Sequence, residues 1–240
     1  MAERPAINSL QTDAVPLPTL HRIAVIGDIH CEDERLETVL RHFSLLKVDA
    51  TLAVGDIVDG EGDVNRVCEM LSKSSVHVVS GNHDRWFLEG RIRDLPHATP
   101  LSALHTTARR WLEKLPKTRS FQTARGPLLL CHGMGDDDMN RIYPDSEGYE
   151  LEANLVLSQI VNEKKYGFVV NGHTHQPMVR RIRGLTIINA GSLCRHDRPV
   201  CSLADFDKGA VQFFEVNPNS IVPAAEVTFD TISSSHTSRT

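Results

Sequence analysis

Cysteine is scarce in this chain and falls into no framework. The 240 residues carry five, Cys31, Cys68, Cys131, Cys194 and Cys201, an odd number at neither disulfide nor zinc-ribbon spacing, so a reducing cytoplasm is the expected setting. Long apolar runs are also missing. The longest are strand-sized, well short of the ~20 residues that span a bilayer, and the first residues lack the basic, apolar and small-residue succession of a secretory signal; no membrane association is expected. Basic charge is not in surplus. A formal net charge of −5 and an aromatic content of 5% argue against stable binding of nucleic acid, which asks for cations along its backbone and rings to stack on.

What is present suffices for a core. At 40% apolar the chain suits one domain over 21–217, after a flexible leader at 1–20 and before a C-terminal extension with a disordered tail at 218–240. Short apolar runs at Ile23 to Ile26, Ala50 to Val54, Val76 to Val79, Leu128 to Cys131, Phe168 to Val170 and Leu185 to Ile188 read as buried strands. Leu36, Val39, Leu40, Phe43 and Leu46 fall at helical spacing, as do Val64, Val67, Met70 and Leu71. Ser202 to Phe206 and Ala210 to Val216, separated by Asp207-Lys208-Gly209, read as an antiparallel hairpin. Strand and helix alternate, which implies βαβ units with any ligand at the carboxyl ends of the strands.

Five polar clusters follow such runs: Asp28-Ile29-His30, Gly55-Asp56, Gly81-Asn82-His83-Asp84, His132-Gly133 and Gly172-His173-Thr174-His175. Carboxylate, amide oxygen and imidazole together suit first-row divalent ions rather than magnesium or calcium alone. Asp28, His30, Asp56, Asn82, His132, His173 and His175 are about twice the ligands that one catalytic zinc takes from protein, so two ions are expected, with Asp56 between them. Asp28 and His30, and likewise His173 and His175, stand two apart, the spacing that aims both side chains to one side of an extended strand end.

These blocks, with Gly27 before the first and Ile57-Val58-Asp59-Gly60 completing the second, resemble the calcineurin-like metallophosphoesterases over roughly residues 21–217. Ile188-Asn189-Ala190-Gly191-Ser192-Leu193 and Ser202-Leu203-Ala204-Asp205-Phe206 are similar to the closing segments of the small bacterial and archaeal phosphodiesterase branch, with Ala190 where that branch has proline. The resemblance implies an α/β fold, a four-layer α/β/β/α sandwich of two mixed sheets with a small helical cap. It implies two divalent transition-metal ions, manganese first and iron, nickel or zinc after it. By the family's pattern Asp28, His30 and His175 hold one ion, and Asn82, His132 and His173 the other. His83 is the motif histidine left without a metal; its equivalent in the family acts on the leaving oxygen, and Asp84 is placed to orient its ring.

Hydrolysis of a phosphodiester or phosphomonoester, with a small phosphoester such as a nucleotide as substrate, is therefore the expected activity. The alternatives are a nuclease or protein phosphatase of the same superfamily, or a non-catalytic interaction protein. Residues 85–125 carry Trp86, Phe87 and Trp111 among arginines and are expected to form the cap, with an anion-guiding rim. Cys31 and Cys131 adjoin expected ligands and are candidates for oxidation.

Overall fold

The computed structural model describes residues 18–229. In chain order these form β1 (Thr19–Leu20), β2 (Arg22–Ile26), α1 (Asp33–Leu45), β3 (Ala50–Ala53), α2 (Val64–Lys73), β4 (His77–Val78), α3 (Asn82–Glu89) and α4 (Thr106–Leu112). There follow β5 (Arg119–Thr123), β6 (Gly126–Leu130), α5 (Tyr149–Ala153), α6 (Leu155–Glu163), β7 (Phe168–Asn171), β8 (Met178–Ile182), β9 (Leu185–Asn189), β10 (Val200–Asp205), β11 (Ala210–Asn217) and β12 (Ser220–Thr228). Two mixed six-stranded sheets result, in the orders β1-β5-β6-β7-β9-β8 and β12-β11-β10-β2-β3-β4.

The period of two along each central strand explains the layering. In β2, Ile23 and Val25 enter a cluster shared with Leu128 and Leu130 of β6, whereas Ala24 and Ile26 turn to Leu36, Val39 and Phe43 of α1 and Val67 of α2. In β7, Val170 faces the opposing sheet and Val169 packs with Leu157 and Ile160 of α6. Strands buried on both faces read as unbroken apolar runs, which is why these were legible as strands. The helices are fixed by ordinary devices. Asp33 and Glu34 occupy the positive end of α1, and the Asp63 carboxylate caps α2 by accepting from the amides of Asn65 (2.9 Å) and Arg66 (3.1 Å), an arrangement worth about 1 kcal/mol.

The two sheets are joined at the end where the polar clusters lie. The amide of Asp28, just past β2, donates to Gly191 O (3.2 Å), and the amide of Leu193 donates to Asp28 O (2.7 Å). A Cβ on Gly27 would stand 2.0 Å from the Gly191 carbonyl oxygen, so this seam requires glycine.

Three boundaries differ from the sequence expectation. Thr19 and Leu20 pair with β5, and β12 extends the second sheet past 217, so sheet structure begins inside the expected leader and ends inside the expected extension; the rest of both termini lies outside the described residues. Mixed and exposed β12, with Pro223 in it, lacks the alternation that marks a strand. The segment 85–125 divides. Its first residues belong to α3, α4 packs on α2 with Ala108 and Leu112 in the core, and β5 joins a sheet. Among the described residues no helix is long and apolar enough to cross a membrane.

Candidate metal centre

All five polar clusters arrive at one place, each from the carboxyl end of a strand: Asp28 and His30 after β2, Asp56 after β3, Asn82 after β4, His132 after β6, His173 and His175 after β7. Asp28, His30, Asp56, Asn82 and His132 are buried there. The backbone is bent to bring them in. His30 (φ 45°), Asp56 (46°), His173 (68°) and His175 (58°) all hold the left-handed conformation that non-glycine residues avoid. Gly81 makes room at the centre, since a Cβ there would lie 2.1 Å from Asp56 Oδ1.

Hydrogen bonds fix which nitrogen of each ring faces inward. His30 Nδ1 donates to Asp59 O (2.9 Å), and His132 Nδ1 donates to Val54 O (2.8 Å), which turns both Nε2 atoms to the interior as the positions left for a proton or a metal ion. The Nε2 atoms of His30 and His175 then face each other at 3.1 Å, with His175 Nδ1 on the Asp197 carboxylate at 2.7 Å. His132 Nε2 meets Asn82 Oδ1 at 2.9 Å and Asp56 Oδ2 at 3.2 Å. Nitrogen and oxygen lone pairs crowded in this way need a proton or a metal ion between them. Two donor groups meet this description, His30 with Asp56 and His175, and Asp56 with His132 and His173, and the carboxylate common to both is Asp56. Asp28 closes the cluster, with Oδ1 3.4 Å from His132 Nδ1 and Oδ2 3.8 Å from His175 Nε2. The seven expected ligands are thus brought together, and their donor chemistry fits divalent transition metals.

His83 stands beside them without joining either group. Its ring lies edge-on to His30 at 5.0 Å and against Trp86 at 4.9 Å. The expectation that Asp84 orients this ring is corrected: His83 Nδ1 binds Asp59 Oδ2 at 2.8 Å. Asp59 is itself gripped by both guanidinium nitrogens of Arg93 (2.8 and 2.9 Å) and by the amide of Thr99 (2.8 Å). Asp84 turns the other way and accepts from the amides of Ile57 (2.8 Å), Val58 (3.2 Å) and Gly81 (2.9 Å), which fastens the loop that carries Asp56 to the start of α3. Residue order could not separate two aspartates next to motif positions; Asp59 lies three residues past Asp56 in a left-handed turn (φ 64°) that sequence spacing does not show. Asp197 and Arg141, whose Nε donates to His173 Nε2 at 3.0 Å, were likewise not singled out.

Residues 22–209 match the family model for the calcineurin-like phosphoesterase superfamily domain. The chain belongs to the calcineurin-like phosphoesterase superfamily. Among curated proteins this phosphoesterase is similar to an uncharacterized protein of Methanocaldococcus jannaschii, 25% identical over 71% of this chain and 69% of that one. It is also similar to a probable metallophosphoesterase of Methanothermobacter thermautotrophicus, 24% identical over 71% and 76% of the two chains. Its fold is similar to that of a hypothetical protein of Pyrococcus horikoshii, with a TM-score of 0.68 at 18% identity over 82% of this chain and 88% of that one.

Charge in the phosphoesterase site is arranged around Asp56. Burial works against its anion, but the facing His132, with His83 and His30, holds the Asp56 carboxyl far below the carboxylate range. His132 is the reciprocal case: burial opposes its cation, yet Asp56 and Asp28 lift it to about 10. Burial and the neighbouring His132 depress His173 to about 4. Burial opposes the His83 cation too, but the Asp59 hydrogen bond and the charges of Asp56 and Asp59 raise its pKa, favouring the form that can give up a proton. The cysteines do not fit the oxidation expectation. Cys31 and Cys131 are buried, and burial pushes both thiols up to about 12.

Proposed function

We propose that the chain hydrolyses small phosphoesters with two divalent transition-metal ions, one held by Asp28, His30 and His175, the other by Asn82, His132 and His173, with Asp56 shared. The observation that carries this reading is Asp56, common to both donor groups, whose Oδ2 lies 3.9 Å from His30 Nε2 and 3.2 Å from His132 Nε2 while Oδ1 accepts from the His83 amide at 2.9 Å. The ions would supply charge to bind phosphoryl oxygens and a water acidic enough to attack phosphorus near neutral pH. The protein's own part is to hold the seven donors in fixed tautomers and to keep a proton ready at His83. Asp59 orients that ring through Nδ1, so that Nε2 is left to protonate the departing oxygen. Arg93 neutralises Asp59 and keeps its carboxylate from rotating.

Manganese is the first choice of ion, and a cytoplasmic setting agrees with cysteines that are all free. Purified protein should carry about two ions by elemental analysis and, supplemented with manganese, should cleave aryl phosphodiesters or phosphomonoesters in a panel that also includes cyclic nucleotides, polyphosphates, phosphopeptides and oligonucleotides. A metal content below one per chain at full activity would remove the dinuclear reading. Preference for the phosphopeptide or the oligonucleotide would turn the assignment to a phosphatase or nuclease.

A further inference from the structure

Outside this centre, three donors from separate loops converge on the surface. Glu61 follows the β3 motif, His97 lies between α3 and α4, and His196 follows β9; their ligand atoms all lie within 4.8 Å of one another. Glu61 Oε1 is 2.9 Å from His196 Nε2 and 3.4 Å from His97 Nε2, and the two imidazoles are stacked at 5.1 Å with 15° between planes. Bonds of about 2.0–2.2 Å to a tetrahedral ion place neighbouring ligand atoms about 3.4 Å apart, so these side chains need to move only slightly. All three are exposed and are free to do so.

The carboxylate is also prepared. Arg195 holds Glu61 Oε2 at 3.1 Å, and Arg195 is anchored in turn by the buried Glu32, which accepts from its Nε (2.9 Å) and its amide (2.7 Å). The Arg195 charge is therefore spent largely on Glu32, and Glu61 is left with Oε1 turned to the two rings.

We propose that Glu61, His97 and His196 form a third, solvent-facing metal site with an open coordination position, taking a zinc-class divalent ion. Two imidazoles and one carboxylate are the donor set of an open zinc site, and they select zinc, nickel or copper over magnesium. The loops involved lead into the catalytic centre. His196 precedes Asp197, which holds His175, and His97 lies two residues before Thr99, whose amide holds Asp59. An ion here ties together the loops that position His83 and His175, so its occupancy tightens both.

The test is a zinc titration of the full chain by calorimetry, comparing the parent with His97→Ala, His196→Ala and Asp56→Asn. The parent should show one class of sites weaker than the rest, and either histidine variant should weaken that class most, by at least the ~10-fold that loss of even an outlying partner costs a metal site. Asp56→Asn should keep it, so the result does not depend on the dinuclear reading. Copper bound in the surface class should show nitrogen hyperfine structure from two imidazoles in its electron paramagnetic resonance spectrum, falling to one in His97→Ala. Identical zinc stoichiometry and affinity in the parent and both histidine variants would overturn the proposal.

Discussion

The donors around Asp56 and those around Glu61 are made of the same groups in opposite surroundings. In the first set five of seven side chains are buried, every ring nitrogen facing outward from the centre is spoken for, and four residues sit in strained backbone. The second set is exposed, and a single arginine, Arg195, holds its carboxylate. Burial is what makes the difference. A buried imidazole or carboxylate without a partner is costly, so the interior set must be fully built before any ion arrives, whereas the surface set can remain half-made because water satisfies it. The interior set should therefore bind tightly with little rearrangement, and the surface set weakly.

The comparison breaks most sharply at Asp56. Asp56→Asn removes the shared charge from both interior groups, and turnover should fall more than ~100-fold with the fold retained, as judged by circular dichroism; full activity would mean that the two groups do not act together. Asp59→Asn should follow, with a loss of about 10- to 100-fold concentrated on substrates with poor leaving groups, because general acid catalysis is worth 10²–10⁴ and the ring is only misaligned. If Asp84→Asn reproduced that leaving-group dependence and Asp59→Asn did not, the assignment of the orienting carboxylate would be reversed.

The smallest effect is on stability. His132, lifted to about 10, and His175, lifted to about 9 by Asp197 and Asp28 against burial, have folded pKa values above the ordinary ~6.5. Their contribution to the metal-free fold is complete below about pH 6.5 and is lost as pH rises through 9 and 10. Ion binding needs these rings neutral, so the loaded protein has no such loss. The Tm difference between loaded and chelated protein should widen steadily from pH 6.5 to 10; a constant difference would show that the chelated centre is not held by these protonated rings.

Legibility in the sequence followed burial as well. The strands that carry donors are apolar on both faces, and Asp28, His30, Asp56, Asn82, His132, His173 and His175 could be found because each follows such a run with a glycine close by. Strands at the margins left little trace: β8 contains Arg180 and Arg181, β5 alternates weakly, and β1 has two residues. Roles set by turns were harder still. Asp59 and Asp84 are both near motif positions, and only the left-handed backbone at Asp59 decides which of them reaches His83. Glu61, His97 and His196 lie in loops with no pattern to join them, since nothing about a wet surface forces a particular residue to precede or follow them.

The seam at Gly27 and Gly191 also sets a timetable for biosynthesis. β2 is made near the beginning of the domain, yet one of its two neighbours in the sheet is β10, and the backbone that meets Asp28 comes from residues 191–193. Early strands must therefore wait for late ones, a pairing of high sequence separation that folds slowly. The ribosome will have released the first donors, Asp28 and His30, long before His173 and His175 exist to complete their half of the centre. On the dinuclear reading, the full donor set can hold its ions only once His173 and His175 have been made.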